Sequence, residues 1–287
     1  MRVSDNWRDY ELIDSSSGER LERWGEVILI RPDPQVIWNT EKKNPLWKNA
    51  HARYLRSSSG GGRWQIYKKI PDSWRIGYRD LMFNVKPMGF KHTGIFPEQA
   101  TNWDFASEYI KKAGRELSIL NLFGYTGCAT IACLKAGAKV CHVDASKGMV
   151  AWAKENAASS GVSEKPVRWI VDDCVKFVQR EIRRGRRYDG IILDPPSYGR
   201  GPSGEIWKLE DNIYSFLELC TQVLSDDAEF VILNSYTTGL SPAVMAYMLR
   251  ALIERKRGGQ VSSDEIGLTA TDSGFVLPCG STAIWQK

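Results

Sequence analysis

Polar side chains end four successive apolar stretches of this sequence, and their types could bind a ligand. Asn121 and Asp144 end the first two stretches, and Asp172 and Asp194 end the next two. If these stretches are parallel strands, their carboxyl ends meet at one edge of a sheet, where open α/β sheets bind ligands. Each residue alone could instead be a helix N-cap or a turn former. Four such residues in register favour a shared binding site.

Asp194 has the most constrained surroundings of the four, because it opens the run Asp194-Pro195-Pro196-Ser197-Tyr198. Proline fixes φ and has no N–H to donate, and it pushes the preceding residue out of the α region. The chain must therefore leave the strand as a stiff loop. Such a loop can hold a flat acceptor and a reactive group in fixed geometry.

A glycine-containing loop precedes these carboxylates. A strand predicted over residues 117–123 leads into Gly124 and Gly127, and a helix follows. Glycine allows the backbone to approach a ligand closely. A dinucleotide fingerprint needs a third glycine, so the loop serves a pyrophosphate poorly and argues against a nicotinamide enzyme. Asp144 lies 20 residues after Gly124, where a carboxylate can bind both hydroxyls of a ribose. The carboxylates that end the next strand could accept an adenine amino group.

The elements that must position these residues follow an alternating pattern. From about residue 91, predicted strands and helices alternate, which indicates a parallel sheet covered by helices on both faces. Residues 260–268 and 274–285 are predicted to form a closing hairpin. The residues before 90 contain short strands and turns. We therefore predict a small β-rich accessory domain over residues 1–90 and an α/β domain over residues 91–287.

Positive charge is concentrated between Lys42 and Thr93. This segment has twelve Lys and Arg residues and two Asp, a net charge of +10, whereas the whole chain has +5. Such asymmetry indicates a polyanionic partner, although a solvated face over a small core is the alternative. The aromatic residues within it could stack on unpaired bases: Trp47, Tyr54, Trp64, Tyr67 and Trp74. A second basic run, residues 183–187, ends a predicted helix. The helix dipole favours cations there, and phosphate contact is the alternative.

Cysteine usage and hydropathy limit the cellular setting. The six cysteines are scattered without a Cys-x-x-Cys pair, so we predict no metal site. In a chain of 287 residues they indicate reduced thiols and favour the cytoplasm. No apolar run reaches the ~18 residues of a membrane span, and the first residues lack the apolar stretch of a signal peptide. We therefore expect no membrane partner.

The order of these motifs resembles the class I S-adenosylmethionine-dependent methyltransferases. More specifically, it resembles the bacterial group that includes the 23S rRNA cytosine-C5 and guanine-N7 enzymes. The resemblance implies a Rossmann-like seven-stranded fold, S-adenosylmethionine as the cofactor, and RNA as the substrate, with rRNA favoured. The stretches that carry it are residues 92–99 (HTGIFPEQ), 144–147 (DASK), 194–201 (DPPSYGRG) and 274–278 (GFVLP).

The resemblance also implies a set of cofactor contacts. Phe96 and Gln99 would flank the methionine end of the cofactor, and Asp144 would hold the ribose. The other implied contacts come from the glycine loop and from the ends of the next strands: Asn121, Phe123, Gly124, Tyr125, Thr126, Gly127, Ala145, Ser146, Asp172, Asp173, Cys174 and Asp194.

The type of methyl acceptor follows from a missing cysteine. Methylation of cytosine C5 needs a thiolate nucleophile, and relatives with that chemistry carry Cys after the strand that here covers residues 231–233. This chain continues with Asn234-Ser235-Tyr236. We therefore predict direct transfer to a nitrogen or oxygen atom.

Three residues of the proline loop are the predicted catalytic residues. Asp194 would accept a hydrogen bond from the acceptor, the Pro195 backbone would assist, and Tyr198 would stack on a base. Two alternatives stay open on the sequence alone. One is a methyltransferase of a protein or small molecule, and the other is a non-catalytic RNA-binding protein with a vestigial fold.

Overall fold

The computed structural model describes residues 1–57, 61–200, 206–237 and 239–287. Gly201, the last residue of the 194–201 motif, lies outside these ranges. The chain forms two compact units. The first comprises Met1–Ala100 and Ile266–Cys279, and the second comprises Thr101–Glu265 and Gly280–Lys287. The predicted domain boundary at residue 90 stays a prediction.

The first unit is rich in β-strands. Strands β2 to β6 form one five-stranded sheet, and β7 and β8 form an antiparallel pair. Its elements are β1 (Arg2–Val3), β2 (Tyr10–Ser16), β3 (Glu19–Trp24), β4 (Val27–Pro32), α1 (Leu46–Asn49), β5 (Ala52–Arg56), β6 (Gly62–Ile66), β7 (Trp74–Tyr78), β8 (Leu81–Val85) and a 3-10 turn (Pro97–Gln99).

The second unit alternates strands and helices. No helix among the described residues is long and apolar enough to cross a membrane. Its helices are α2 (Ala100–Lys112), α3 (Cys128–Lys135), α4 (Lys147–Ser159), α5 (Cys174–Arg183), α6 (Leu209–Thr221), α7 (Pro242–Leu249), a π-helical turn (Arg250–Glu254) and α8 (Arg255–Arg257). Its strands are β9 (Ser118–Leu122), β10 (Lys139–Asp144), β11 (Val167–Val171), β12 (Gly190–Leu193), β13 (Tyr198–Arg200), β14 (Ile206–Lys208), β15 (Phe230–Ser235), β16 (Gln260–Thr269) and β17 (Val276–Gln286).

Seven strands of the main sheet have the order β16-β17-β15-β12-β9-β10-β11. The ladders from β15 to β11 are parallel, and β17 pairs with β15 in the antiparallel direction. This confirms the predicted seven-stranded α/β fold and its closing hairpin. Residues 266–279 at the tip of that hairpin belong to the first unit, where the short strand β1 pairs with Ile266 and Gly267 as an eighth strand.

Helices cover both faces of the sheet in the second unit, which explains why its central strands are mostly apolar, with Asn121 and His142 as buried polar exceptions. On one face, Phe177 of α5 and Phe216 of α6 join a core cluster with Leu122. On the other face, Phe105 of α2 packs edge-on against Phe230. A polar side chain inside such a strand needs a buried hydrogen-bond partner, whereas the carboxylates Asp144 and Asp194 lie at the strand ends.

Candidate active site

The sheet register brings the predicted strand ends to one edge. Leu122 pairs with both Val143 and Leu193, and Asp144 pairs with Val171. The residues that follow these positions therefore leave the sheet side by side. Neighbouring strands lie about 4.8 Å apart, so the backbones at the ends of β10 and β12, on either side of β9, are separated by about 10 Å.

The loop after β9 has a strained and well-anchored backbone. Phe123 and Tyr125 have positive φ values of 56° and 49°, a conformation that bulky residues rarely adopt. The Gly124 N–H donates to the Val143 carbonyl at 3.0 Å, and Asn156 Nδ2 donates to the Thr126 carbonyl at 2.9 Å. Strain that is held in this way is typical of a ligand-binding loop.

The two glycines of this loop are required by protein packing. A Cβ on Gly124 would lie 2.4 Å from His142 Cε1, and a Cβ on Gly127 would lie 2.8 Å from Ala153 Cβ. Gly127 also has φ of 83°. Packing therefore gives both glycines a reason within the protein, and close approach of the backbone to a ligand stays a prediction. The glycines let the loop lie flat against β10 and α4.

A buried hydrogen-bond chain supports the loop from below. Asn121 Nδ2 donates to Thr130 Oγ1 at 2.9 Å, and Thr130 Oγ1 lies 2.9 Å from His142 Nδ1. Burial lowers the pKa of His142 to about 3, so the ring is neutral near neutral pH. The Asn121 side chain is thus committed to the protein interior. Sequence reasoning missed Thr130 and His142, because nothing in the sequence places them under the loop.

Asp144 has the geometry of a hydroxyl-binding carboxylate. Its Oδ2 accepts the Tyr125 N–H at 2.8 Å, and its Oδ1 accepts the Ser146 N–H at 2.8 Å. Burial raises the pKa of Asp144, and these two hydrogen bonds oppose that shift. A carboxylate has about four acceptor positions. Asp144 can therefore accept two further hydrogen bonds from a ribose.

Two of the predicted contact residues also cap helices. Ser146 Oγ accepts the Met149 N–H at 3.4 Å and begins α4. Asp173 Oδ1 accepts the Lys176 N–H at 2.8 Å and begins α5. Ala145 is exposed between Asp144 and the first cap. The capping alternative was weighed for the four residues that end the apolar stretches. The caps of α4 and α5 are instead the neighbours Ser146 and Asp173.

Asp172 and Cys174, two further predicted cofactor contacts, have other partners within the protein. The Asp172 carboxylate forms an ion pair with the Arg180 guanidinium. The Cys174 thiol is buried in the core, where its sulfur lies 3.4 Å from the Phe123 N–H nitrogen. Burial raises the pKa of this thiol well above its usual value. The thiol of Cys174 therefore faces the core.

Asp194 is held by a residue from the neighbouring strand. Asn234 Nδ2 donates to Asp194 Oδ1 at 2.9 Å, and Asn234 is buried while Asp194 is half-buried. A hydrogen bond to a carboxylate is stronger than one between neutral groups. Sequence reasoning used Asn234 only as the place of an absent cysteine. A polar residue directly after the apolar residues 231–233 was the signal that could have identified it.

The rest of the proline loop is braced as well. Thr237 Oγ1 donates to Ser197 Oγ at 2.6 Å, and Trp207 Nε1 donates to the Pro196 carbonyl at 2.7 Å. Pro195 is buried, whereas the Tyr198 side chain is 52% exposed. The loop thus presents Tyr198 at the surface on a fixed backbone.

Phe96 and Gln99 lie in the first unit. Phe96 precedes the 3-10 turn, and its ring centroid lies 5.2 Å from that of His92. The Gln99 N–H donates to the Phe96 carbonyl at 3.0 Å. Their contact with the methionine end of a cofactor stays a prediction.

Comparison with known proteins assigns the fold to a family. The model of the S-adenosylmethionine-dependent methyltransferase family matches residues 45–212, more than half of the chain. The chain belongs to this family. The chain is similar to the S-adenosylmethionine-dependent methyltransferase of Agrobacterium tumefaciens, with 37% identity and a TM-score of 0.94. That match covers 99% of this chain and 92% of the other.

More distant relatives share parts of the chain or the fold alone. A methyltransferase structure from Streptococcus mutans has a TM-score of 0.75 at 16% identity, over 98% of this chain and 76% of that one. The ribosomal RNA large subunit methyltransferase K/L of Shewanella sp. (strain MR-4) is 30% identical over 156 residues, 53% of this chain and 21% of that protein. The chain thus spans about a fifth of the length of this curated relative.

The residues at the edge of the sheet fit the family's cofactor, S-adenosylmethionine. The Asp144 carboxylate keeps acceptor positions for the ribose hydroxyls. A sulfonium cation is stabilised near carboxylates and aromatic faces, and Asp194 and Tyr198 provide both near the end of β12. Among the described residues, no group of three or more His, Cys, Asp or Glu side chains could hold a metal ion.

Proposed function

We propose that this methyltransferase transfers a methyl group from S-adenosylmethionine to RNA, with large-subunit rRNA as the favoured substrate. The observation that carries the proposal is the Asp194 carboxylate, oriented by Asn234 at the end of β12. It stands beside the anchored loop that follows β9. The RNA substrate is supported by the charge of residues 42–93 and by the name of the curated relative.

In this proposal the cofactor lies across the carboxyl ends of β9, β10 and β11. Asp144 binds the ribose hydroxyls, and the strained loop contacts the methionine part. Asp172 and Asp173 border the adenine site. Cys174 contributes its backbone to this site rather than its thiol. Phe96 and Gln99 flank the methionine end. The neighbouring positions Ala145 and Ser146 complete the proposed adenosine site.

The chain acts mainly by positioning and by electrostatics. When bound, S-adenosylmethionine supplies an electrophilic methyl group on a sulfonium centre. Asp194 accepts a hydrogen bond from an N–H of the acceptor and so aims the acceptor lone pair at the methyl group. The Pro195 backbone shapes the same loop, and Tyr198 stacks on the base. Asn234 is a positioning residue, because its buried side-chain amide donates to Asp194.

The state of the cysteines supports transfer without a thiolate nucleophile. All six are free and buried. Burial raises the pKa of Cys128 and Cys133 to about 12 and that of Cys141 to about 11. It also raises the pKa of each of the other three thiols. Only the thiolate is the nucleophile, so none of these thiols is prepared to attack a base.

We infer that residues 1–90 form an accessory domain that contacts RNA through charge more than through stacking. Nine of the twelve basic residues between 42 and 93 are exposed. Glu19 pairs with Lys42 and Arg53 and neutralises part of the charge. The indole N–H groups of Trp47, Trp64 and Trp74 donate to protein oxygens. These rings are thus held by the protein, whereas the exposed cations can bind phosphate.

The buried free thiols also fit a reducing compartment, and we propose a cytoplasmic location.

A protein or small-molecule substrate is the main competing hypothesis. It predicts that methyl transfer to RNA is absent and that any RNA binding has little salt dependence. A vestigial, non-catalytic fold predicts no transfer to any cellular fraction.

The test uses purified protein, methyl-labelled S-adenosylmethionine, and protein-free bacterial large-subunit rRNA. We expect label in RNA from the wild type and none from Asp194→Ala, with the affinity for S-adenosylmethionine preserved. Asp226→Ala removes an exposed carboxylate outside the proposed site and should retain full transfer. Label in protein but not in RNA would refute the substrate. Equal loss of binding and transfer in Asp194→Ala would make Asp194 a binding or folding residue.

A further inference from the structure

Helix α5 ends in a rigid turn that exposes four arginines. Gly185 has φ of 65°, and its N–H donates to the Ile182 carbonyl at 3.0 Å. The Arg186 N–H donates to the Glu181 carbonyl, also at 3.0 Å. This pair of hydrogen bonds around a left-handed glycine is a Schellman motif. It fixes the backbone of residues 183–187, which we name the arginine turn.

A buried carboxylate anchors the arginine turn. Glu181 is fully buried, and it accepts the Tyr188 hydroxyl at 2.5 Å and Arg184 Nη1 at 3.0 Å. Arg168 Nη1 donates to the same carboxylate at 3.1 Å. Burial raises the pKa of Glu181, but these hydrogen bonds outweigh it and the net pKa is lowered. The anchor therefore stays charged and holds both ends of the turn.

The remaining arginines of the turn are not neutralised by a carboxylate within the described part of the chain. Arg183, Arg186 and Arg187 are exposed, and none forms an ion pair with a carboxylate of the described residues. A groove of about 330 Å³ begins beside the turn, and its basic lining residues are Lys139, Arg168, Arg186 and Arg187. Dipole stabilisation reaches only the last turn of a helix and does not account for cations beyond Gly185.

Basic residues along the exposed face of α5 extend from the arginine turn towards the carboxyl ends of the strands, where the cofactor is proposed to bind. Lys176, Arg180 and Arg184 are spaced by four residues and so share one helix face. The helix starts directly after Asp173 and has ten residues, a length of about 15 Å. Asp172 neutralises part of this face through Arg180. Residues 166–188 still carry a net charge of +4. When residues 42–93 and 166–188 are both left out, the rest of the chain carries −9.

We propose that the arginine turn binds the phosphodiester backbone of the substrate RNA at a distance from the methylated nucleotide. This inference rests on the proposed RNA substrate. Guanidinium groups on a fixed backbone match phosphate oxygens in a bidentate geometry. The strand that flanks the target nucleotide passes over the basic face of α5 and reaches the opposite edge of the sheet. The turn thus contributes to affinity and register, while the chemistry stays at Asp194.

The test compares Arg186→Ala/Arg187→Ala with the wild type. Among the described residues, the one hydrogen bond of these side chains joins Arg187 Nη1 to the adjacent Arg186 carbonyl, so the variant should fold. Lys111→Ala/Lys112→Ala removes two exposed charges from the end of α2 and is the matched control. Methyl transfer to protein-free bacterial large-subunit rRNA is measured over a range of salt concentrations, and the affinity for S-adenosylmethionine is measured separately.

We expect the arginine variant to raise KM for rRNA at least about fivefold, with kcat and cofactor affinity unchanged. The logarithmic salt dependence of RNA binding should become shallower by about 1.4, for two lost contacts to a single strand. Arg186→Lys/Arg187→Lys should restore the salt dependence because it keeps the charge, but only part of the affinity because lysine lacks the bidentate guanidinium. If the alanine variant of the arginine turn has the same KM and salt dependence as Lys111→Ala/Lys112→Ala, the arginine turn is not an RNA contact and the proposal is refuted. A wild type that labels no RNA at any salt concentration would instead refute the RNA substrate itself.

Discussion

The substitution Gly124→Ala tests whether His142 determines the conformation of the loop after β9. The new Cβ would lie 2.4 Å from His142 Cε1 and 2.5 Å from Nδ1. Ordinary contacts of this kind are about 3.5–4.0 Å, so one group must move by about 1 Å. The ring cannot yield easily, because it is fully buried and lies beside Thr130 and Trp169. The loop must move instead.

Overpacking of this kind costs about 1–3 kcal/mol of the free energy of unfolding. The backbone of Gly124 is outside the left-handed region, so no φ penalty adds to the clash. Displacement of the loop also moves Tyr125, whose N–H orients Asp144. We therefore expect Gly124→Ala to lower the free energy of unfolding by about 2 kcal/mol and to weaken S-adenosylmethionine binding about tenfold, or ~1.4 kcal/mol.

Urea unfolding and titration calorimetry measure the two effects in a double-mutant cycle. His142→Ala removes the ring, so adding Gly124→Ala in that background should cost at least about 1 kcal/mol less than in the wild type. Gly89→Ala is the control, because a Cβ there meets no atom within 4 Å. Additive effects in the cycle, or a Gly124→Ala protein as stable as the control, would refute steric determination by His142.

Three further predictions concern charge and nucleophilicity. Asp144→Asn should weaken S-adenosylmethionine binding by about 1.5–3 kcal/mol in calorimetry, and wild-type affinity should fall on acidification because burial raises the pKa of Asp144. The pKa of His142 is about 3 in the folded protein, against a usual 6.5. As pH falls, this side chain is therefore protonated in the unfolded chain before it is protonated in the folded one. Urea unfolding should therefore show stability lost as pH falls below about 6.5, and lost less in His142→Asn. RNA that contains 5-fluorocytidine should form no covalent complex on denaturing gels, since Cys128 and the other thiols are buried; a trapped adduct would contradict direct transfer.

The sequence was sufficient for the fold class and for the edge of the sheet to which the candidate site residues belong. Asp144 and Asp194 each end an apolar strand, and parallel strands align their carboxyl ends. Local signals of this kind act over a few residues, so they can be recognised along the chain. Ser146 and Asp173 show the limit, because N-capping and ligand binding use the same residue types at the same positions.

Long-range packing decided the remaining features. Asn234 reaches Asp194 across 40 residues of sequence, and packing against His142 accounts for Gly124 within the protein. Cys174 follows a predicted binding position, yet its thiol points into the core. For the basic run at residues 183–187 the sequence favoured dipole stabilisation over phosphate contact, and the rigid turn and buried anchor favour phosphate contact. The sequence determines which residues leave the strands at the active edge, whereas tertiary packing determines which of their side chains face solvent, because burial depends on neighbours that are remote along the chain.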